Sequence, residues 1–408
     1  MFVNQKSTAS WNLACGTASF AICFAAWGLI SAFAPAFRKE FALTAQSTAF
    51  LVAVPVLLGS VARLPMGMLT DRFGGRLVFT LLFLAVAIAA ALVPLAGDYN
   101  TLVATAFLLG LAGSSFAVGV GFVSPWFPRE KQGMSLGIYA LGNIGHSAAV
   151  FLGPVVAASV GRDRVFYGVA VLALVWGFVF FAIARNAPAT RKPATLSGMF
   201  KLWTTEKLSW ALSAFYFLTF GGFVAFSIYL PTLLRDQFGL SMTEAGFRTA
   251  AFVVLATMLR PVGGTLSDRI GGALVLSYVF LGLVPFACLL MWNSLFVFTL
   301  AAAGCAALLG LGNGAVFKLV PQYFPTNTAT VTGLVGAMGG LGGFFPPLVL
   351  GFFRDKIGSV WPAFALLALT SAMMWLLNRR VFLSVKRESL VNSRASSATS
   401  AGVPMSAH

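Results

Sequence analysis

Arg-Leu-Pro-Met-Gly-Met-Leu-Thr-Asp-Arg-Phe-Gly-Gly (63–75) and Arg-Pro-Val-Gly-Gly-Thr-Leu-Ser-Asp-Arg-Ile-Gly-Gly (260–272) are two versions of one phrase, 197 residues apart. In each, an arginine inside an apolar run stands four residues before a Gly and eight before an Asp-Arg pair. The same offset continues outward without gaps. Arg38 falls on Arg235, Phe41 on Phe238, Leu43 on Leu240, Phe50 on Phe247 and Phe127-Pro128 on Phe324-Pro325. So constant an offset argues for duplication, and two parallel repeats with a site between them suit an alternating-access carrier. A charge at the centre of a membrane costs about 2.5–3.5 kcal/mol per Arg. A chain that carries this cost twice, at matching places, points to one ligand held by both arginines, and that ligand should be an anion.

The composition sets the class. Of 408 residues, 59% are apolar and 9% charged, so the chain reads as an all-α, polytopic membrane protein. Twelve apolar segments are long enough to cross about 30 Å of hydrocarbon. They run near 11–36, 47–69, 77–97, 101–125, 133–159, 165–185, 208–234, 245–266, 273–292, 295–319, 328–353 and 359–380. The domains expected are a six-helix bundle over 1–185, a basic linker over 186–207, a second bundle over 208–385 and a disordered tail over 386–408. A pseudo-two-fold axis should relate the bundles. With both termini inside, the inner side holds sixteen Lys and Arg against seven outside, the asymmetry of a membrane protein with cytoplasmic ends. The net charge of +16 follows from that asymmetry and needs no nucleic-acid partner. Cys15, Cys23, Cys288 and Cys305 lie in apolar stretches, so no disulfide framework is expected. The first apolar run is too long for a cleaved signal and reads as a retained helix.

Depth follows from helix geometry. Asp71 closes the second segment, and eight residues at 1.5 Å place Arg63 roughly 12 Å deeper, near the midplane. Arg260 reaches the same depth from Asp268. All eleven acidic residues lie in loops, at helix ends or in the tail, so none neutralises the arginines. Two His and no nucleophile–base pair, metal cluster or cofactor loop argue against an enzyme, a cofactor or a metal site. A lone intramembrane Arg can be structural, bonding backbone carbonyls or snorkelling. Two at repeat-equivalent positions without carboxylates favour a ligand.

The motifs carry a resemblance. Gly67-Met-Leu-Thr-Asp71-Arg72-Phe-Gly-Gly-Arg76, with its copy from Gly264 through Asp268 and Arg269, resembles the loop motif of the major facilitator superfamily. Gly137-Ile-Tyr-Ala-Leu-Gly142-Asn143-Ile-Gly145 and Gly336-Ala-Met-Gly339-Gly340-Leu-Gly342-Gly343 resemble the signatures of its nitrate/nitrite porter family, the NarK and NasA type. That resemblance implies a nitrate and nitrite carrier, a monomer in the lipid bilayer, working by nitrate/nitrite exchange or nitrate–proton symport. It places substrate contacts at Arg63, Arg260, Asn143, Tyr216, Phe220 and Phe116. The chain departs from the family at Tyr139-Ala140, where many members have two glycines.

These residue types suit nitrate. A guanidinium is flat and grips two coplanar oxygens. Aromatic faces can wall a thin slot that admits planar anions and excludes tetrahedral sulfate or phosphate. For the glycines, helix packing is the leading role and contact with the anion secondary. The Asp-Arg loops are expected to lock the inner gate by charge pairing. His146, three residues past Asn143, is first a packing residue; if protons couple to transport, it is the mid-helix group that titrates near neutral pH. Lys318 is expected to snorkel to the interface, with a part in the inner gate as the alternative. Rival readings are a carrier of a small carboxylate such as formate or oxalate, and an anion channel or transporter-like sensor.

Overall fold

A computed structural model describes residues 5–188 and 196–383. The expected tail over 386–408, and Arg191 and Lys192 of the expected linker, lie outside the described residues. Among the described residues, twelve helices are long and apolar enough to span a membrane. They are α1 (Ser7–Ala32), α2 (Phe50–Phe73), α3 (Gly75–Leu95), α4 (Tyr99–Trp126), α5 (Arg129–Val160) and α6 (Arg162–Ile183). The second set is α7 (Lys207–Pro231), α8 (Glu244–Ile270), α9 (Gly272–Leu289), α10 (Leu295–Tyr323), α11 (Thr328–Pro346) and α12 (Trp361–Phe382). Part of the expected linker is itself a short helix, Leu196–Thr205, whose Trp203 ring N–H donates to the Thr330 carbonyl at the start of α11.

The duplication is visible in the packing. In the first set, α1 packs on α5, α2 on α4 and α3 on α6. In the second set the same partners recur six helices later, α7 on α11, α8 on α10 and α9 on α12. Between the bundles, α2 meets α11 and α8 meets α5, which the repeat exchanges with each other. Small residues allow these close crossings. A Cβ on Gly67 would strike the Ala329 carbonyl, and one on Gly133 the Gly264 carbonyl.

Both loop motifs end their helix in the same way. Gly74 (φ 84°) closes α2 and Gly271 (φ 96°) closes α8, conformations that favour a residue without Cβ. The chain then turns directly into α3 and α9. Here this end of the molecule is named the loop-motif face.

Three helices are irregular at mid-depth. α2 is interrupted at Ala62, immediately before Arg63. α4 tightens to a 3-10 turn over Gly110–Ser114, and α5 over Ala140–Asn143. Such turns redirect carbonyls away from the regular ladder and often mark functional positions.

Candidate functional site

Arg63 and Arg260 are almost wholly buried, at 3% and 1% exposure, and both converge on one aromatic ring. The Arg63 guanidinium carbon lies 5.7 Å from the Phe220 centroid and that of Arg260 5.4 Å from it. Arg260 also lies 4.9 Å from the Phe223 centroid. One arginine comes from each bundle, so the ring sits where the halves meet.

Their bonding differs. Arg63 donates from Nε to the Gly113 carbonyl at 3.0 Å and from Nη1 to the Gly336 carbonyl at 2.6 Å. The first acceptor lies in the 3-10 turn of α4; the second lies on α11 of the other bundle. Arg63 is thus partly a structural arginine that ties the halves together. Arg260 has no such anchor: its Nε and Nη2 are buried without a hydrogen-bond partner among the described residues. No ion pair to either arginine occurs among the described residues.

The structure brings the three aromatic residues together. Tyr216 and Phe220 stack on successive turns of α7, with centroids 4.9 Å apart and planes at 6°. Phe116 of α4 faces Tyr216 across the bundle boundary, nearly parallel at 8°, with centroids 6.4 Å apart. A flat layer between two rings needs about 7 Å of separation. The 6.4 Å between the centroids falls short of that, so in this structure the rings are too close for a flat layer. Phe317 of α10, absent from the sequence reading, meets Phe116 at 4.6 Å and Tyr216 at 4.7 Å, both nearly at right angles. It closes one edge of the slot. Its signal in the sequence was weak, one Phe among forty.

Asn143 is buried, but its amide nitrogen donates to the Ala140 carbonyl of its own turn at 3.0 Å. The departure from the family has a clear place. Tyr139 points back into its own bundle, stacking on Phe20 (5.0 Å) and Phe116 (5.8 Å) and donating its hydroxyl to the Ser115 carbonyl at 2.9 Å. Helix 5 keeps its close approach to α8 two residues earlier, at Gly137 against Pro261.

The signature glycines lie at close contacts between helices. Gly142 faces Phe20, Gly145 the Ala21 carbonyl, Gly339 the Tyr216 ring, Gly342 the Phe217 carbonyl, Gly343 Val224 and Gly340 Ser60. The tightest of these leave no space for a Cβ. His146 lies against α1, its ring 5.2 Å from Trp27, with Gly28 beneath it.

The charge pairing expected of the loop motifs occurs at one of them, Asp268 with Lys318, whereas both carboxylates cap helices and neither pairs with an arginine among the described residues. Asp71 accepts from the backbone N–H groups of Ala329 (3.1 Å) and Thr330 (2.7 Å), at the start of α11. Asp268 accepts from those of Gly133 (2.9 Å) and Met134 (2.8 Å), near the start of α5. Each carboxylate therefore caps a helix of the opposite bundle, where free N–H groups and the helix dipole favour negative charge. Arg72 and Arg269 stay exposed, and Arg72 lies over Phe73. The snorkelling expected of Lys318 is also wrong. Its side chain is buried, pairs with Asp268 at 2.7 Å and donates to the Arg129 carbonyl. A carboxylate fixed by a neighbouring bundle offered it a nearer partner than the interface. These contacts close the two halves at the loop-motif face.

Comparison with known proteins agrees with this architecture. The Major Facilitator Superfamily profile matches residues 16–347 and 212–404. The chain is 38% identical over 328 residues to the nitrite extrusion protein of Bacillus subtilis, covering 80% of this chain and 83% of that one. It is 36% identical over 394 residues to the probable nitrate/nitrite antiporter NarK1 of Thermus thermophilus, covering 88% of each. Among solved structures, the human organic anion transporter MFSD10 superposes with a TM-score of 0.75 at 16% identity, over 91% of this chain and 99% of that one. The fucose transporter FucP in its outward conformation superposes at 0.72 and 16% identity, over 89% and 97%. Twelve helices in two repeated sets, the duplicated loop motif and these relatives make the chain a member of the major facilitator superfamily, in the nitrate/nitrite porter family of the NarK and NasA type.

Proposed function

We propose that the protein carries nitrate and nitrite across the bacterial inner membrane by alternating access, exchanging one for the other, with both termini cytoplasmic. The observation that carries the reading is the pair of buried arginines, one from each bundle, over a single aromatic ring and without a carboxylate. The names of the relatives support it.

In this reading the anion supplies the missing counter-charge. Arg260 offers it free N–H groups, and Arg63 offers those not engaged with Gly113 and Gly336. Phe116 and Tyr216 cover its two faces, and Phe317 forms the floor on the loop-motif side. Admission of a flat anion needs Phe116 and Tyr216, and with them the two bundles, to move apart. A tetrahedral anion would force the rings further apart. Without an anion, two like charges face each other in a low-dielectric interior and oppose closure. Binding bridges the bundles and lets them rock together. The gate contacts of Asp71, Asp268 and Lys318 hold the cytoplasmic side shut, and they must release before the anion can leave inward. Exchange needs no titrating group at mid-depth, and the described acidic residues all lie at helix ends or in loops.

The test is uptake of labelled nitrate into proteoliposomes, with and without internal nitrite, with and without a pH gradient. Exchange predicts uptake that requires internal nitrite and ignores the gradient. Uptake driven by the gradient alone would replace exchange with proton symport. Competition by formate or oxalate as strong as that by nitrite would move the substrate to a small carboxylate.

A further inference from the structure

Asn313 is 2% exposed, and neither its Oδ1 nor its Nδ2 has a partner among the described residues. It lies in the middle of α10, within Gly312-Asn313-Gly314. The repeat offset of 197 places it on Phe116, the residue that walls the slot from the other bundle. The side chain's direction follows from its neighbours. Leu309 and Gly312 face α7, the first against Gly222 and the second against Thr219. Gly310 and Gly314 face α8, against the carbonyls of Ala256 and Arg260. Asn313 lies between these two stripes, one turn above Phe317 on the same side of the helix. It therefore projects into the wedge between α7 and α8, at the level of Arg260. The same wedge holds the Arg260 guanidinium, over Phe220 and Phe223, with two unpartnered nitrogens.

We infer that Asn313 is an anion-binding residue of the second bundle, whose carboxamide, once an anion enters, accepts from Arg260 through Oδ1 and donates to the anion through Nδ2. This rests on the nitrate reading above. Buried polar side chains normally have partners, and one that lacks them calls for an explanation. A carboxamide has both a donor and an acceptor, so it can steady a guanidinium and still meet an anion. It carries no charge, so the full attraction of both arginines stays available. An Asp here would neutralise Arg260 and take the anion's place. Helix 10 would then complete the site that the first bundle builds from Phe116 and Arg63.

The test compares Asn313→Leu, Asn313→Asp and Asn313→Ser carriers with the unmutated protein. Two quantities are read: the thermal midpoint with and without nitrate, and the KM for nitrate in proteoliposomes. A ligand role predicts that Asn313→Leu melts no lower than the unmutated carrier when empty, because it removes an unpartnered polar group. Its nitrate-induced rise should vanish and its KM increase about tenfold or more. Asn313→Asp should raise the empty midpoint by pairing with Arg260 and weaken nitrate more than Asn313→Leu does. Asn313→Ser should fall between and gives the answer if the bulkier changes fail to insert. A lowered empty midpoint in Asn313→Leu with KM within about twofold of the unmutated carrier would make Asn313 structural and overturn the inference. So would an unchanged KM in Asn313→Ser. If the unmutated carrier takes up no nitrate, the substrate reading fails first and takes this one with it. If it does and all three variants match it, this inference fails alone.

Discussion

At the residue scale, the two arginines look alike in sequence and act differently in the fold. Arg63 bonds one carbonyl in each bundle, whereas Arg260 has two free nitrogens. Lysine at either position keeps the charge and loses the planar fork. Arg63→Lys and Arg260→Lys should each weaken nitrate binding at least tenfold, about 1.4 kcal/mol or more. Their stabilities should differ. Arg63→Lys breaks charged hydrogen bonds worth about 1.5–3 kcal/mol each, while Arg260→Lys breaks none among the described residues. Thermal melts of the empty carriers check this, and equal losses in both would show the asymmetry to be without consequence. Lys318 allows a second comparison. Losing one partner of a buried ion pair costs about 3–5 kcal/mol, against about 1 kcal/mol or less for an exposed one. Lys318→Met should therefore destabilise strongly, and adding Asp268→Asn should recover part of the loss in a double-mutant cycle. A loss below about 1 kcal/mol would return Lys318 to the interface.

At the element scale, helices that read as uniform apolar runs are broken where they meet the site. The 3-10 turns at Gly110–Ser114 and Ala140–Asn143 flank Phe116 and Tyr139. Composition alone could not reveal them, because short 3-10 turns accept the same small and apolar residues as the α-helices around them. Tyr139 backs Phe116 and bonds the Ser115 carbonyl. Tyr139→Phe should cost about 1 kcal/mol, the worth of one hydrogen bond, and leave selectivity intact. Tyr139→Gly, which restores the residue common in the family, should cost about 3–5 kcal/mol for the cavity it opens. It should also let Phe116 move, so that sulfate begins to compete with nitrate. Competition assays on the two variants measure this; a Tyr139→Gly carrier that still excludes sulfate would show that Phe116 needs no support from α5.

At the scale of the whole molecule, the gate and the slot share a helix. Phe317 floors the slot, and the next residue, Lys318, holds Asp268 in the gate. The repeat is not symmetric here. The offset puts Gly121 opposite Lys318, and Gly121 abuts Ala329 and Thr70. Asp71 thus caps α11 through backbone N–H groups, while Asp268 has an ammonium partner as well. Opening on the loop-motif face should then be limited by the Asp268 side. Asp268→Asn should speed inward opening more than Asp71→Asn, measured as the exchange rate at saturating nitrate. A faster Asp71→Asn carrier would contradict that ranking.

The sequence alone determined the number of helices, the duplication and the matching places of Arg63 and Arg260, which have no carboxylate partner among the described residues. Those properties depend on local composition and on helix rise matched to membrane thickness. The family motifs named Phe116, Tyr216 and Phe220, and the structure brings them together. Only the tertiary structure decided what crosses from bundle to bundle. It turned Asp71 and Asp268 onto backbone amides, drew Lys318 inward onto Asp268, set Phe317 into the edge of the slot and left Asn313 without a partner among the described residues. Hydrogen bonds and ion pairs between residues far apart in the chain depend on distance, direction and burial, and none of the three is written in residue type or spacing.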